Sequence, residues 1–429
     1  MSFKQSVGSL VFLMLFAVGW IANQGCDLVV PQREKCSPAP VTIDSWSATN
    51  GTVESPRASN DRENLAVFLT KHPKALNTRY GHYCETFLHS AARLDREDLA
   101  PLLINRRADV RALDRDGEMP LHTAAKYGNP TLVKLLLAAG ADPNVIAPNG
   151  STPLRYTVVD WTRPIDPARR RAAAEALLVA GADVNAKEPG SGFTALRNTA
   201  ALGQPHDEQM IELLLKYGAD VRVIDDQGEP LFVSAVGTGT VATVRRLLDR
   251  GADVNAASRF STALGYAAGS GNVAVATLLM DRGADVNRSV PGSRLPWEGL
   301  PLAQTLEVFG GSDKERVPGR HKVALALIAR GADVNARNKS GETMLHFVAG
   351  EGNMPAIELL LSHGAAVSPR DHSGFTPLHR AVEKGHLEAT KRLLTAGGDP
   401  QATTTDGRTP LSIASSDREI AALIRRHAN

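Results

Sequence analysis

The sequence has little cysteine, few aromatic side chains and almost no excess of charge. Its 429 residues include three cysteines, 5% aromatic residues and a formal net charge of +2. No CxxC pair and no Cys/His spacing typical of zinc ligands occurs, so neither a zinc module nor a dithiol redox centre is expected. No run of five or more basic residues is present, which argues against nucleic acid as a partner. Because aromatic residues are scarce, Leu, Ala and Val must build most of the core.

The motifs of common enzyme classes are also absent from the sequence. It contains no G-x-S-x-G nucleophile turn, no H-E-x-x-H zinc helix and no phosphate-binding glycine loop followed by Lys and Ser or Thr. We therefore expect no catalytic residue, no cofactor and no metal. An enzyme with its site in an insertion at residues 288–320 is the alternative, although the acidic residues of that insertion show no clear pairing.

The first 26 residues differ from the rest of the chain. Lys4 is the only charged residue before Asp27, and residues 7–22 are all apolar or small. This pattern is typical of an export signal or a membrane anchor. Gly25 and Cys26 follow the apolar run and resemble a bacterial lipoprotein signal, in which Cys26 would carry the lipid. Lipidation, simple cleavage and an uncleaved anchor are three alternatives, and each places the protein in the periplasm or on a membrane facing it.

Residues 27–60 are predicted to be a flexible linker, because Pro, Ser, Thr and Asn dominate and no periodicity holds. Cys36 lies in this linker and Cys84 lies just before the first regular repeat. In an oxidising compartment, lipidation of Cys26 would leave Cys36 and Cys84 free to form a disulfide. Without lipidation, Cys26 could pair with Cys36 and leave Cys84 buried. We favour the first pairing.

One five-residue phrase recurs through the remainder of the chain. GADVN stands at 181–185, 251–255, 283–287 and 331–335, with near copies at 140–144, 218–222 and 364–368. The glycines of successive copies are 33 residues apart from Gly218 to Gly251, 32 from Gly251 to Gly283 and 33 from Gly331 to Gly364. A ligand site has no reason to recur at a fixed chain length, whereas a stacking unit buries its apolar face only against its neighbours. The phrase therefore indicates a structural joint.

Residues 336–368 show the repeating unit most clearly. Gly341 permits a turn, and Thr343 can cap a helix that begins at Met344. A second helix begins near Pro355, where a missing N–H costs nothing, and it ends at Gly364 in a left-handed conformation. The unit is thus predicted to be two helices joined by a short turn and followed by an extended arm.

This unit resembles the ankyrin repeat. Residues 371–400 carry the G-x-T-P-L-H opening and a close similar to L-L-x-x-G-A-D, and about ten copies of varying quality cover residues 61–429. The resemblance implies an all-α solenoid of about ten helix–turn–helix units with β-hairpin loops. It also implies that the histidines of the opening bond to the backbone of the neighbouring repeat rather than catalyse a reaction. These histidines are His89, His122, His346 and His379.

Two intervals between joints exceed the repeat length of 33 residues by eight residues or more. Gly140 and Gly181 are 41 residues apart, and Gly283 and Gly331 are 48 residues apart. The additional residues lie near 155–170 and 288–320. Insertions in repeat proteins form loops that often carry function. Each insertion has one tryptophan, Trp161 and Trp297, which either binds a partner or packs its own loop.

The resemblance also indicates where a partner would bind. In ankyrin repeats the residues beside the hairpin glycine and at the end of the first helix face the concave groove. In this chain they are Arg115, Tyr127, Asp160, Trp161, Phe193, Leu202, Phe260, His372 and Phe375. We expect a monomeric scaffold that binds another protein through these residues, with the aromatic side chains as anchors. An inhibitor or immunity-type protein that blocks an exported enzyme is a narrower alternative.

Overall fold

The computed structural model describes residues 60–81, 83–159, 165–201, 207–290, 292, 296–306, 319–414 and 417–428. The predicted export segment, most of the linker, Cys26 and Cys36 lie outside these residues, as do Asp160, Trp161 and Leu202. The described part of the chain contains 21 α-helices and no strand longer than an isolated bridge. No helix among these residues is both long and apolar enough to span a bilayer.

Helix α1 (Asn60–Lys71) is followed by ten consecutive helix pairs, which are numbered here as repeats 1 to 10. The pairs are α2 (Phe87–Arg93) with α3 (Ala100–Asn105), α4 (Pro120–Lys126) with α5 (Pro130–Ala138), α6 (Pro153–Val159) with α7 (Pro167–Val179), α8 (Ala195–Ala201) with α9 (Asp207–Lys216), α10 (Leu231–Thr238) with α11 (Val241–Asp249), α12 (Ala263–Gly269) with α13 (Val273–Asp281), α14 (Pro301–Thr305) with α15 (Arg320–Ala329), α16 (Met344–Gly350) with α17 (Met354–Ser362), α18 (Pro377–Glu383) with α19 (Leu387–Thr395), and α20 (Pro410–Ile413) with α21 (Arg418–Ala428).

The core runs between two layers of helices. First helices pack on the first helices of neighbouring repeats, and second helices pack on second helices. In repeat 2 the fully buried side chains include Leu121 and Ala124 on α4, with Leu132 and Leu136 on α5. Small alanines on the first helix let its neighbours approach closely, and leucines on the second fill the space between the layers. The predicted all-α solenoid is confirmed.

The repeated phrase acts as a joint through its Asn and its Asp. The Asn185 Oδ1 atom accepts a hydrogen bond from the N–H of Asp220 at 2.8 Å, and its Nδ2 donates to the carbonyl oxygen of Gly218 at 3.2 Å. The Oδ1 of Asp183 accepts from the N–H of Asn185 at 2.9 Å and so fixes the local turn. Equivalent pairs of bonds to the following repeat are made by Asn144, Asn287 and Asn335. Each Asn therefore ties one repeat to the next.

The recurring histidines are fully buried and join repeats in a second place. His346 accepts a hydrogen bond at Nδ1 from the N–H of Thr343 at 3.0 Å, and its Nε2–H donates to the carbonyl oxygen of Phe375 at 3.0 Å. The same arrangement links His89 to Glu118, His122 to Val145 and His379 to Arg408. One imidazole thus caps its own helix and bonds to the next repeat, which is the structural role that the family resemblance implied.

The loops between repeats are hairpins held by side chains more than by β-pairing. Isolated bridges join Ile224 to Pro230, Ala257 to Thr262 and Arg337 to Thr343. At the turn after Ile224, the Oδ1 of Asp225 accepts from the N–H groups of Gln227 and Glu229, both at 2.8 Å. The carboxylate therefore adds to the few backbone bonds of this hairpin, such as that from the N–H of Leu231 to the carbonyl oxygen of Val223 at 2.9 Å.

Candidate protein-binding surface

Exposed apolar side chains are concentrated in the hairpins. Among the described residues, eight large apolar side chains are well exposed, and five of the eight lie in hairpins. These five are Tyr83, Leu113, Ile146, Ile224 and Phe260, with exposed fractions of 54%, 45%, 65%, 53% and 39%. Isolated exposed apolar residues are normal on a protein surface, but their recurrence on one kind of loop makes that face a candidate interaction surface.

Three of the five occupy the same place in their repeats. Leu113, Ile146 and Ile224 each come six residues after the joint glycine, or after Arg107 where the glycine is absent. We call the set of equivalent residues the hairpin-tip row. It consists of Leu113, Ile146, Lys187, Ile224, Ala257, Ser289, Arg337, Arg370 and Thr403.

Comparison with known proteins agrees with the repeat geometry. Family models described as "Ankyrin repeats (3 copies)" match residues 168–258, 198–290 and 318–404, and one described as "Ankyrin repeats (many copies)" matches residues 103–156. Together the matches cover more than half of the chain. The chain belongs to the ankyrin-repeat family.

Relatives of this ankyrin-repeat protein share only a few of its repeats. Ankyrin repeat and SOCS box protein 6 from Mus musculus is 38% identical over 89 residues, which are 20% of this chain and 21% of that protein. The Homo sapiens protein of the same name is 40% identical over 98 residues, or 22% of this chain and 23% of its own length. The chain thus spans about a fifth of the length of these relatives, so their partners are not evidence for its own.

The predicted binding residues of the ankyrin repeats fall into three groups. Arg115, His372 and Phe260 are exposed in their hairpins, and the Arg259 guanidinium lies 4.7 Å from the centre of the Phe260 ring. Tyr127, at the end of α4, and Phe193 are partly buried. Asp160, Trp161 and Leu202 lie outside the described residues. The binding role of all these residues stays a prediction.

Phe375 does not fit the prediction that its side chain faces a partner. It is only 6% exposed, because the guanidinium groups of Arg380 and Arg408 cover its ring at 4.5 Å and 5.1 Å. Arg380 is held there by Glu342 at 2.8 Å and by Asp371 at 2.9 Å. Phe375 is therefore part of the hairpin core.

Trp297 is also buried, at 3% exposure. Its indole N–H donates to the carbonyl oxygen of Glu342 at 3.3 Å, and its ring meets the edge of Phe347 at a centroid distance of 5.7 Å. Of the two alternatives for this tryptophan, the structure supports packing: the side chain fastens its insertion to repeat 8.

Two ankyrin repeats replace the buried histidine by arginine. Arg155 pairs with Glu188 at 2.7 Å, and Arg197 pairs with Asp225 at 2.5 Å, in each case across to the hairpin of the next repeat. Each guanidinium thus performs the joining role of the imidazole with a charged bond. These charges are engaged within the solenoid, so the hairpin tips are the part of this face left for a partner.

The enzyme alternative would need a catalytic site in or beside the second insertion. A cleft of about 730 Å³ lies between repeats 7 and 8, lined in part by Arg320, His321, Glu358 and His363. The described residues contain no group of three His, Cys, Asp or Glu side chains placed to hold a metal. Glu358 is paired with Arg392 at 2.8 Å, and His363 bonds to the carbonyl oxygen of Leu359. The two side chains therefore do not form an acid–base pair with each other.

Cys84 is disulfide-bonded in the structure, so the alternative in which Cys26 pairs with Cys36 and leaves Cys84 out is wrong. Its partner lies outside the described residues. The pairing with Cys36 therefore stays a prediction.

The binding residues predicted from the sequence do not include the exposed hairpin residues Tyr83, Leu113, Ile146 and Ile224. A usable signal was present, because three of them stand at one fixed distance from the joint phrase. An apolar residue that recurs where the repeat has no core position to fill predicts an exposed contact residue.

Proposed function

We propose that this ankyrin-repeat protein is an interaction scaffold that binds a partner protein across its hairpins and first helices. The observation that supports this is the concentration of exposed apolar side chains in the hairpins. Apolar surface gains free energy when a partner covers it, at roughly 25 cal/mol per Å² removed from water. The Asn and His bonds between repeats hold the hairpins in fixed positions, so the surface is ordered before the partner arrives.

We further propose that the scaffold acts outside the cytoplasm, exported or tethered to a membrane by residues 1–26. Support comes from the apolar run at residues 7–22 and from the disulfide at Cys84, since disulfides persist in oxidising compartments. A protein that blocks an exported enzyme is a narrower form of the same proposal. A scaffold would keep the partner active, whereas an inhibitor would abolish the activity of the enzyme that it covers.

Two aromatic substitutions test the binding surface. The full chain is used to capture partners from an extract, and a stoichiometric protein identified by mass spectrometry is then purified. Tyr127→Ala and Phe260→Ala should each weaken its binding by roughly tenfold or more, because aromatic anchors cost about 2 kcal/mol when truncated. Tyr217→Ala is the matched control, since Tyr217 is a partly buried tyrosine that follows a second helix instead of a first. Unchanged affinity in both groove variants would place the binding site elsewhere on the molecule.

Reporter fusions test the location. Residues 1–60 fused to an enzyme that is active only outside the cytoplasm should give activity, and deletion of residues 2–25 should abolish it. Incorporation of a fatty-acid probe that is lost in Cys26→Ser, but kept in the control Cys36→Ser, would identify a lipoprotein. A full-length protein that fractionates entirely with the cytosol would refute export.

A further inference from the structure

The hairpin-tip row changes chemistry along the solenoid. Its first half presents the branched aliphatic side chains of Leu113, Ile146 and Ile224. Between the last two, the Lys187 ammonium donates to the carbonyl oxygen of Ile224 at 3.4 Å, which lays its aliphatic stem beside that residue. The first half therefore presents an exposed aliphatic side chain at the tips of repeats 2, 3 and 5, with the Lys187 stem in repeat 4 between them.

The second half of the row contains two arginines and no large apolar side chain. Arg337 in repeat 8 and Arg370 in repeat 9 are both exposed, and Nη1 of Arg337 donates to the carbonyl oxygens of Gly341 and Arg370, each at 2.8 Å. These bonds fix the Arg337 guanidinium across two hairpins. Within the described part of the chain, the Arg370 side chain makes no ion pair or hydrogen bond, so its planar fork of donors is available to a carboxylate.

The local carboxylate is missing at one joint, and that joint belongs to repeat 9. Eight joints carry an exposed aspartate four residues before the tip, namely Asp109, Asp142, Asp183, Asp220, Asp253, Asp285, Asp333 and Asp399. At the equivalent place before Arg370 stands Ala366. The other nearby carboxylate, Asp371, is buried and engaged with Arg380. Arg370 is therefore the basic tip residue whose joint lacks the exposed aspartate.

We propose that the hairpin-tip row binds a linear segment of the partner protein that has aliphatic residues towards one end and carboxylates towards the other. This inference rests on the proposed scaffold function and adds the chemistry and direction of its partner. The aliphatic end lies over Leu113, Ile146 and Ile224, and the acidic end lies over Arg337 and Arg370. Since neighbouring helices pack about 8–10 Å apart, the seven steps from repeat 2 to repeat 9 span roughly 60 Å, which an extended segment of about 20 residues covers.

The same observations disfavour two other macromolecules. A nucleic acid is charged along its whole length, and it would meet the aspartates that precede most of the tips. An anionic membrane would need basic and apolar side chains mixed on one face, whereas both arginines of the row lie in the half opposite to Leu113, Ile146 and Ile224, and the Lys187 ammonium is bonded to the Ile224 carbonyl oxygen. A segment with separate apolar and acidic parts matches the row as it stands.

Selection from random peptides tests the proposal directly. The full-length protein is immobilised and used to select from a phage library that displays random peptides of about 24 residues. Enriched peptides should carry an aliphatic cluster and at least two acidic residues, always in the same order along the chain. Their affinity is then measured by fluorescence anisotropy with synthetic peptide.

Substitutions with matched controls assign the two halves. The combined Leu113→Ser, Ile146→Ser and Ile224→Ser variant should bind the selected peptide at least about tenfold more weakly, since each buried aliphatic side chain contributes a transfer free energy. Val67→Ser, Val179→Ser and Leu325→Ser together are the control, because these exposed residues lie on helices. Arg370→Glu should weaken binding about fivefold at 50 mM NaCl and less at 500 mM NaCl, while Lys391→Glu on α19 should not.

The results of these experiments distinguish the proposed partner segment from the alternatives. Enrichment without acidic residues, equal affinity of row and control variants, or no enrichment would overturn the proposal. Binding to phosphatidylserine vesicles that is lost in the same variants would assign the row to a membrane instead. If the captured partner binds the row variants normally, the scaffold function stands and this inference fails. If ordered peptides are selected but no protein is ever captured, the chemistry of the row stands and the proposed function fails.

Discussion

Acidification from pH 7.5 to pH 5 is expected to destabilise the repeats towards the two ends of the solenoid and to leave the stability of its middle repeats unchanged. Buried histidines occur in repeats 1, 2, 8 and 9, whereas repeats 3 and 4 have Arg155 and Arg197 in their place. Burial lowers the pKa of His89 and of His122 to about 4, and it also lowers the pKa values of His346 and His379. In the unfolded chain each histidine titrates near 6.5.

The direction of the effect follows from these values. Because the folded-state pKa of each histidine is depressed, its contribution to stability is complete above pH 6.5 and is lost as the pH falls towards 4. The loss per histidine is at most about 1.4 kcal/mol for each pH unit in that window. A protonated imidazole could no longer accept the bond from its own helix cap, such as that from Thr343 to His346.

Two carboxyl groups work in the opposite direction. Burial, together with the nearby Glu118 and Asp116 carboxylates, raises the pKa of Asp114 to about 6, and burial beside Asp225 raises that of Glu229 to about 7. Groups with raised pKa values stabilise the fold as the pH falls through those values. In repeat 2, Asp114 therefore partly offsets the stability that His122 loses on acidification, and in repeat 5 Glu229 adds stability.

Amide hydrogen exchange followed by mass spectrometry measures this prediction repeat by repeat. After correction for the intrinsic pH dependence of exchange, peptides from α2, α16 and α18 should lose protection at pH 5. Peptides from α8 and α10 should keep it and serve as the internal control. Asp114→Asn should make the loss in α4 larger. Uniform loss along the chain, or full protection at both ends, would contradict the role assigned to the histidines.

The joints were predictable from sequence because they are periodic. Four exact copies of GADVN and three near copies leave few alternatives to a stacking unit, and the bonds of Asn185 give the phrase its structural role. Local capping chemistry is equally readable, since Thr343 followed by His346 defines the start of α16. Residues that recur at one position of the repeat make equivalent contacts with the neighbouring repeat. Their repetition in the sequence therefore reveals those contacts.

The direction of single side chains in the hairpins was less predictable. Phe375 and Phe193 both follow the turn glycine, yet Phe375 is buried between two arginines and Phe193 is only partly buried. The difference depends on Arg408, which belongs to the next repeat and approaches the ring of Phe375. Trp297 is similar, because its burial depends on Phe347 of the following repeat. The position of a residue within its own repeat does not show which long side chain of the next repeat will cover it.

Replacement of Arg197 by Met is expected to destabilise the middle of the solenoid more than any surface substitution. The pair that Arg197 forms with Asp225 is nearly buried, with exposed side-chain fractions of 11% and 2%. The Arg197 guanidinium also covers the ring of Phe193 at 3.8 Å. Removing one partner of a buried pair leaves an uncompensated charge and costs about 3 kcal/mol or more. Asp225 would keep its two bonds from backbone N–H groups but would face Glu229 without a nearby balancing charge from Arg197.

The measurement is again local, because a long repeat array need not unfold in one step. A loss of about 3 kcal/mol corresponds to roughly hundredfold faster exchange of the amides in α8 and α10. Arg282→Met is the matched control: Arg282 pairs with Asp249 across repeats at 2.7 Å, but both side chains are solvent-exposed, and such pairs contribute about 0–1 kcal/mol. Glu229→Gln added to Arg197→Met should recover part of the protection, since it removes the second carboxylate beside Asp225. If Arg197→Met and Arg282→Met change exchange equally little, the Arg197 pair does not hold repeats 4 and 5 together, and Asn185 at the joint between them carries that role.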